Sequence, residues 1–292
     1  APIGAGPGRD GVCQPLGVRW SVVETFVQSK SADRACEDLV VTTSDFAAVI
    51  DGATDETGTL YGGKTGGLLA AETLASTIAQ LSPRSTAREF ADRLSTDLGL
   101  AASQAGRHDG SSERWPSASL VCLSFGRHEI WRIGDCSFLV DGEPNIGTKR
   151  VDDAAYGFRA AINASLLAAG TPLEEILRSD PGAAFTRPLF DLQQQLTNHD
   201  GPWGYGCING RPVPDRFVEV FPLAPDVDEV VLASDGFPDL RTTLEESEIR
   251  LRELLDIDPA AVAELWAVGK ALRPGANSVD DRAYLRVARV RS

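Results

Sequence analysis

Phe46-Ala-Ala-Val-Ile-Asp51-Gly52 is an unbroken apolar run of strand length that stops on an acid and a glycine. Glu229-Val-Val-Leu-Ala-Ser-Asp235-Gly236 repeats the arrangement late in the chain. Short runs dominated by apolar and β-branched residues and bounded by turn residues read as strands. Asp-Gly occurs six times, and most instances are ordinary turns; Asp141-Gly142, after Ser-Phe-Leu-Val, reads as a hairpin turn. Other acids also stand at strand boundaries. Glu37-Asp38 precedes LVVTTS, Ile133-Gly134-Asp135 closes EIWRIGD, and Asp280-Asp281 precedes AYLRVARV. Each alone is more often a turn residue than a ligand. As an ordered set they suit a hard divalent cation such as Mg2+ or Mn2+, which takes carboxylate oxygens and water. Carboxylates gathered at neighbouring strand ends repel one another unless a cation offsets them.

Outward from these strands the chain alternates strand-like and helical text. Residues 1–17 are rich in Gly and Pro and read as a loose arm. VRWSVVETFV, LVVTTS and FAAVI follow as strands. Lys64 to Leu81 carries Leu68, Ala71, Leu74, Ala75 and Ile78 at helical spacing. A second helix is expected over Ala87 to Ala105, capped by Ser85, Thr86 and Glu89. Strands return at SLVCLSF, EIWRIGD and SFLV. A different segment, about Val151 to Pro222, is helical at first and then aromatic and glycine-rich (GPWGYGCINGRPVP). FVEVFPL and EVVLAS resume the strands, a helical block spans Leu244 to Leu272, and AYLRVARV closes the pattern. The expectation is one α+β domain over 18–292 carrying a helical insertion.

Composition narrows the function. In 292 residues, 28 Lys and Arg stand against 42 Asp and Glu, a net charge of -14. Such a surface repels a nucleic-acid backbone or an anionic membrane, so neither is expected as a partner. No apolar run approaches the ~20 residues that span a bilayer. Five cysteines (Cys13, Cys36, Cys122, Cys136, Cys207), an odd count without CxxC pairs, argue against a disulfide framework or thiolate zinc. The balance reads as an acidic, globular, cytoplasmic protein.

One short motif competes. Gly58 to Thr65, GTLYGGKT, satisfies the GxxxxGK[ST] pattern of a phosphate-cradling loop, and a helix follows it. That mechanism needs a parallel strand running straight into the first glycine, so that amides and helix dipole converge on the phosphates. Here the strand stops at Ile50 and DGATDET intervenes. A glycine-rich loop opening a helix is the better reading, with nucleotide hydrolysis the minor alternative.

Six blocks in order resemble the successive motifs of the metal-dependent protein phosphatases, the PPM or type 2C family. They are Arg34-Ala-Cys-Glu37-Asp38, Ala48-Val-Ile-Asp51-Gly52, Ser117-Ala-Ser-Leu, Arg132-Ile-Gly134-Asp135-Cys-Ser, Leu232-Ala-Ser-Asp235-Gly236 and Ser278-Val-Asp280-Asp281. The resemblance runs from about residue 17 to 290. It implies a four-layer αββα sandwich, two packed antiparallel sheets flanked by helices, with two Mn2+ or Mg2+ ions, or three, at one edge. Carried over, Asp51 bridges two ions, the Gly52 carbonyl holds the second, and Asp235 and Asp280 hold the first. Asp38, with Glu37, acts through water, and Asp135 matches the position of a weaker third ion in bacterial members. The implied activity is phosphomonoester hydrolysis by a metal-activated water, without a covalent enzyme intermediate. The default substrate is phosphoserine or phosphothreonine in a protein.

The chain departs from the family at several points. Ala53-Thr54-Asp55 stands where many members continue with a leaving-group His, and His108, His128 and His199 are all distant in sequence. Asp55 is then a candidate acid, beside water. Arg34 sits one residue off the position of the family's phosphate-binding Arg, and Lys64 is a candidate to compensate. Asp281 replaces the usual Asn. The insertion, with Trp203 and Tyr205, makes a small phosphorylated metabolite under a cap the alternative substrate, although packing is the commoner fate of such aromatics. A third reading, a binding module on a degenerate phosphatase fold, is weakened because all the main carboxylates remain.

Overall fold

The computed structural model describes residues 19–54, 59–106 and 115–290. The expected N-terminal arm, Asp55, Gly58, Cys13 and His108 lie outside the described residues. The elements in chain order are β1 (Arg19–Gln28), β2 (Leu39–Thr42), β3 (Phe46–Gly52), β4 (Leu60–Tyr61), β5 (Lys64–Thr65), α1 (Gly66–Ile78) and α2 (Ala87–Gln104). Then come β6 (Ala118–Ser124), β7 (Glu129–Ile133), β8 (Ser137–Val140), β9 (Glu143–Asn145), α3 (Arg150–Ala168), α4 (Leu173–Ser179) and α5 (Pro181–Gln193). The chain ends with β10 (Glu219–Pro222), β11 (Glu229–Ala233), α6 (Leu244–Ile257) and β12 (Arg282–Val290).

Two five-stranded sheets form, ordered β1-β12-β11-β8-β9 and β10-β7-β6-β3-β2, with β4 and β5 a separate small hairpin. Every paired neighbour is antiparallel. Ala47, Val49, Val121, Leu123 and Ile130 of one sheet pack against Phe138, Val230, Leu232, Leu285 and Val287 of the other. The opposite side chains of β3 and β6, Ala48, Ile50, Leu120 and Cys122, meet Leu74 of α1 and Phe90, Leu94 and Leu98 of α2. Leu139, Val231, Ala233 and Tyr284 face outward on the other sheet against Phe237, Leu240 and Leu244, where α6 begins. Antiparallel sheets commonly leave one face wet and read as alternating. Here both faces of the central strands are covered, which is why FAAVI is continuously apolar. The expected αββα sandwich is the observed fold. Among the described residues every sheet pairing is antiparallel, and no parallel strand feeds a phosphate loop of the GxxxxGK[ST] kind.

Local rules set the helix ends. Thr86 caps α2 in a reciprocal box with Glu89, and Thr243 does the same for α6 with Glu246. The helical block expected to reach Leu272 stops at Ile257. Pro259 disfavours helix at the residue before it. The Asp258 carboxylate then accepts from the amides of Val262, Ala263 and Leu265 at 3.0, 2.8 and 2.9 Å, which holds the chain in a loop. Asp141 and Gly142 both take positive φ, +48° and +85°, the backbone of the expected two-residue hairpin turn, here joining β8 to β9.

α3, α4 and α5 follow β9 as a helical segment, and β10 returns the chain to the sheet by pairing with β7. Arg159 of α3 is buried. It donates to Asp180 at 2.9–3.0 Å and to the carbonyls of Ala260 and Ala261 at 3.0 and 2.9 Å, tying the insertion to the loop after α6. Removing one partner of a buried charged network strands the others. Arg159→Ala is therefore expected to cost about 3–5 kcal/mol in urea unfolding. Arg93→Ala, which loses a more exposed i,i+4 pair with Asp97, is expected to cost about 0.5 kcal/mol.

Candidate active site

Strand register lines the acids up at one end of the sandwich. Leu39 of β2 lies opposite Ile50 of β3, so Asp38, one residue before, comes alongside Asp51. Asp51 is paired with Ser119 of β6, and the Ser119 hydroxyl donates to Asp135 Oδ1 at 2.7 Å just beyond the end of β7. In the second sheet Ala233 of β11 lies opposite Tyr284 of β12, which places Asp235 and Asp280 beyond those strand ends. Ser234 joins the two rows. Its Oγ accepts from the Ala283 amide at 2.9 Å, and its hydroxyl counters part of the upward push on the Asp38 carboxyl. The carboxylates thus come from both sheets and are held by rigid strand ends.

The glycines beside them are required by close approach. A Cβ on Gly52 would lie 2.4 Å from the Glu37 carbonyl and 2.7 Å from that of Gly67; on Gly236 it would lie 2.0 Å from the Asp281 carbonyl. Gly134 has φ +98°, and a Cβ there would meet Ser119 Oγ at 2.3 Å. Each acid is therefore set by a backbone that only glycine lets pack.

Electrostatically the five carboxylates divide into two sets. Asp38, Asp51 and Asp235 are pushed above the ordinary carboxylate range. Burial is the largest cause in each case, followed by neighbouring acids: Asp280, Asp235 and Asp281 for Asp38, and Asp235, Asp38 and Asp135 for Asp51. Asp235 is pushed up to about 7 by burial and by Asp280 and Asp135, and it is exposed to solvent where Asp38 and Asp135 are buried. Asp135 and Asp280 go the other way. Burial would raise both, but Lys149 and Ser119 overcome it at Asp135, and Lys270 and Lys30 overcome it at Asp280.

The structure brings Asp38, Asp51, Asp135, Asp235 and Asp280 into one electrostatic cluster. Glu37 stands beside it but is engaged as a strut. Its carboxylate accepts from Thr54 Oγ1 at 2.8 Å and from Thr65 Oγ1, the cap of α1, at 2.5 Å. Asp281 likewise accepts from the amides of Lys30 and Glu37, each at 2.9 Å. Arg34 is 3.8 Å from Glu37 with its side chain 44% exposed, at the rim. Lys64 pairs with Glu72 of α1 on the surface. Trp203 is half exposed with the Arg150 guanidinium 4.4 Å from its ring, while Tyr205 bonds Thr197 at 2.8 Å and lies 5.5 Å from the Lys149 ammonium. The described cysteines are free, and Cys122, Cys136 and Cys207 are buried.

Sequence reasoning passed over Lys30, Lys149 and Lys270. One signal was present: of 28 basic residues only four are lysine, and three of those four reach the carboxylates. Ser119 was also missed as a hydrogen-bond donor to Asp135.

The donor set fits a hard divalent cation. It is all oxygen, carries more acids than lysines, and leaves Asp38 Oδ2 buried without any hydrogen-bond partner. Among the described residues no group of three or more His, Cys, Asp or Glu side chains is disposed to hold a metal ion. No described helix is long and apolar enough to cross a membrane.

No family model matches the chain, and no curated protein matches it in sequence. Among solved structures it is similar to the serine/threonine phosphatase Stp1 from Staphylococcus aureus, with TM-score 0.50 and 14% identity over 97% of this chain and 100% of that one. It also matches the Mycobacterium tuberculosis serine/threonine phosphatase PstP/Ppp, with TM-score 0.45 and 16% identity over 93% of this chain and 98% of that one. The likeness to Stp1 is one of fold, and at that level it agrees with the resemblance carried by the motifs.

Crowded acids make metal-free stability depend on pH with a definite sign. Asp235 holds its proton up to about 7 when folded and releases it near 3.8 when unfolded. Between those values the folded state binds more protons, so stability falls as pH rises from about 4 to about 7. Urea unfolding in chelator is expected to show that fall, and Asp235→Asn to flatten it. Asp280→Asn, which strands Lys30 and Lys270, is expected to destabilise at pH 7.

Proposed function

We propose that this chain is a metal-dependent phosphomonoester hydrolase acting on phosphoserine or phosphothreonine in proteins. The observation that carries the reading is the convergence of five carboxylates from both sheets, with Asp38 Oδ2 buried and unpartnered. Asp51 would hold two Mn2+ or Mg2+ ions, the Gly52 carbonyl one of them, Asp235 and Asp280 the other, with Asp38 acting through water. When bound, such ions lower the pKa of a water and neutralise phosphoryl oxygens during in-line displacement.

The chain's own residues do the positioning. Gly52, Gly134 and Gly236 admit the backbone contacts that aim the acids, and the Ser119 hydroxyl holds one oxygen of Asp135. Arg34, at the rim and 44% exposed, would meet a phosphate arriving from solvent. Exposure of Asp235 favours a phosphorylated side chain presented by a protein over a metabolite enclosed by a cap, since ligand enclosure needs a buried site.

Hydrolysis of p-nitrophenyl phosphate and of a phosphothreonine peptide should require Mn2+ or Mg2+ and stop with chelator. Asp51→Asn and Asp235→Asn are each expected to lower kcat by about 100-fold or more, about 2.7 kcal/mol of barrier. Absence of turnover by folded protein with either metal would overturn the reading. A nucleotide-loop mechanism predicts that Lys64→Ala abolishes activity and Asp280→Asn is mild; the opposite ranking is expected here.

A further inference from the structure

Two of the five carboxylates are already satisfied by the chain itself. Both oxygens of Asp280 are engaged: Oδ1 accepts from Lys30 Nζ at 2.9 Å and from the Asp281 amide at 3.0 Å, and Oδ2 accepts from Lys270 Nζ. Both oxygens of Asp135 are engaged as well, Oδ1 by Ser119 and Oδ2 by Lys149 Nζ at 2.7 Å. Among the described residues Asp38, Asp51 and Asp235 take part in no ion pair. An ammonium at such a distance fills the space and supplies the charge that a ligated cation would bring to the same oxygen.

Resting on the metal-site reading above, we propose that Lys270 and Lys149 are resident counter-ions that compete with divalent cations for Asp280 and Asp135. Ion binding at Asp280 must displace Lys270, and Lys149 blocks a further ion at Asp135. The residue type suits the role. A lysine ammonium is a compact point charge on a flexible stem that can withdraw, whereas a guanidinium forks across both carboxylate oxygens. This chain uses arginine for 24 of its 28 basic residues and places three of its four lysines here. The two sites differ in mobility. Lys270 is 40% exposed and has solvent to withdraw into. Lys149 is 17% exposed and lies 5.5 Å from the Tyr205 ring centre, so it is the more firmly held. The arrangement offsets part of the like-charge repulsion when no ion is bound, at the cost of weaker ion binding.

The test is calorimetric titration of MnCl2 into the chelator-stripped, desalted full chain, with thermal unfolding in chelator alongside. Lys270→Met and, as a polar alternative of similar length, Lys270→Gln are expected to bind Mn2+ about tenfold more tightly than wild type. Both are also expected to melt lower in chelator, with the loss recovered on adding Mn2+. Lys270→Arg keeps the charge and adds the fork, and is expected to bind Mn2+ no more tightly than wild type. Lys149→Met is expected to take up one more ion per chain. Wild-type affinity in folded Lys270→Met and Lys270→Gln would overturn competition at Asp280, and wild-type stoichiometry in folded Lys149→Met would overturn it at Asp135. Asp51→Asn separates the two readings. If it abolishes Mn2+ binding while the lysine variants behave as wild type, the metal site stands and the competition fails. If neither wild type nor any lysine variant binds Mn2+, both fail.

Discussion

Like charges crowded at one end of the sandwich are the constraint around which the rest is arranged. Two unit charges about 4 Å apart repel by about 4 kcal/mol at an effective dielectric of about 20, and a typical domain has only about 5–15 kcal/mol of net stability. Asp38, Asp51 and Asp235 cannot all be ionised side by side without relief, and they lie above the ordinary carboxylate range for that reason as well as burial. Relief comes from the Ser119 hydroxyl and from three lysines.

The acids stay together because the strands that carry them cannot move independently. β3 and β6 are covered on both faces, by the second sheet and by α1 and α2, so Asp51 and Ser119 are fixed in register. Gly52 packs against the Glu37 and Gly67 backbones, and Gly236 against Asp281. These contacts join the segments carrying Asp38, Asp51, Asp235 and Asp280. Glu37 and Asp281, acids of the same motifs, serve as acceptors for amides and hydroxyls that close the loops. A motif of paired acids is thereby divided into one that faces the site and one that braces it.

The helical segment that opens at α3 is tied to the elements around the site. α3 starts directly after Lys149, and Arg159 anchors that helix to the loop after α6, the segment that also leads to Lys270. Both competing lysines therefore reach the cluster from elements joined by one buried guanidinium. Trp203 stays half exposed and stacks with Arg150 at the first residue of α3.

Much of this was legible in the residues. Unbroken apolar runs ending in Asp-Gly marked the strands and their acid ends, because a strand covered on both faces has to be apolar throughout and a tight backbone approach has to be glycine. The boxes at Thr86 and Thr243 were local signals of the same kind. The helix expected through Pro259 shows where a local pattern was overread, since helical spacing continued past a residue that cannot sustain the hydrogen bonding. What only the tertiary structure decided is which charges answer the acids. Lys64 had a motif around it and pairs with Glu72; Lys30, Lys149 and Lys270 had none and reach the cluster. Strand ends and turns are written in consecutive residues because backbone geometry is local. Charge compensation acts through space, between side chains far apart along the chain, and it is settled only when the fold has brought them together.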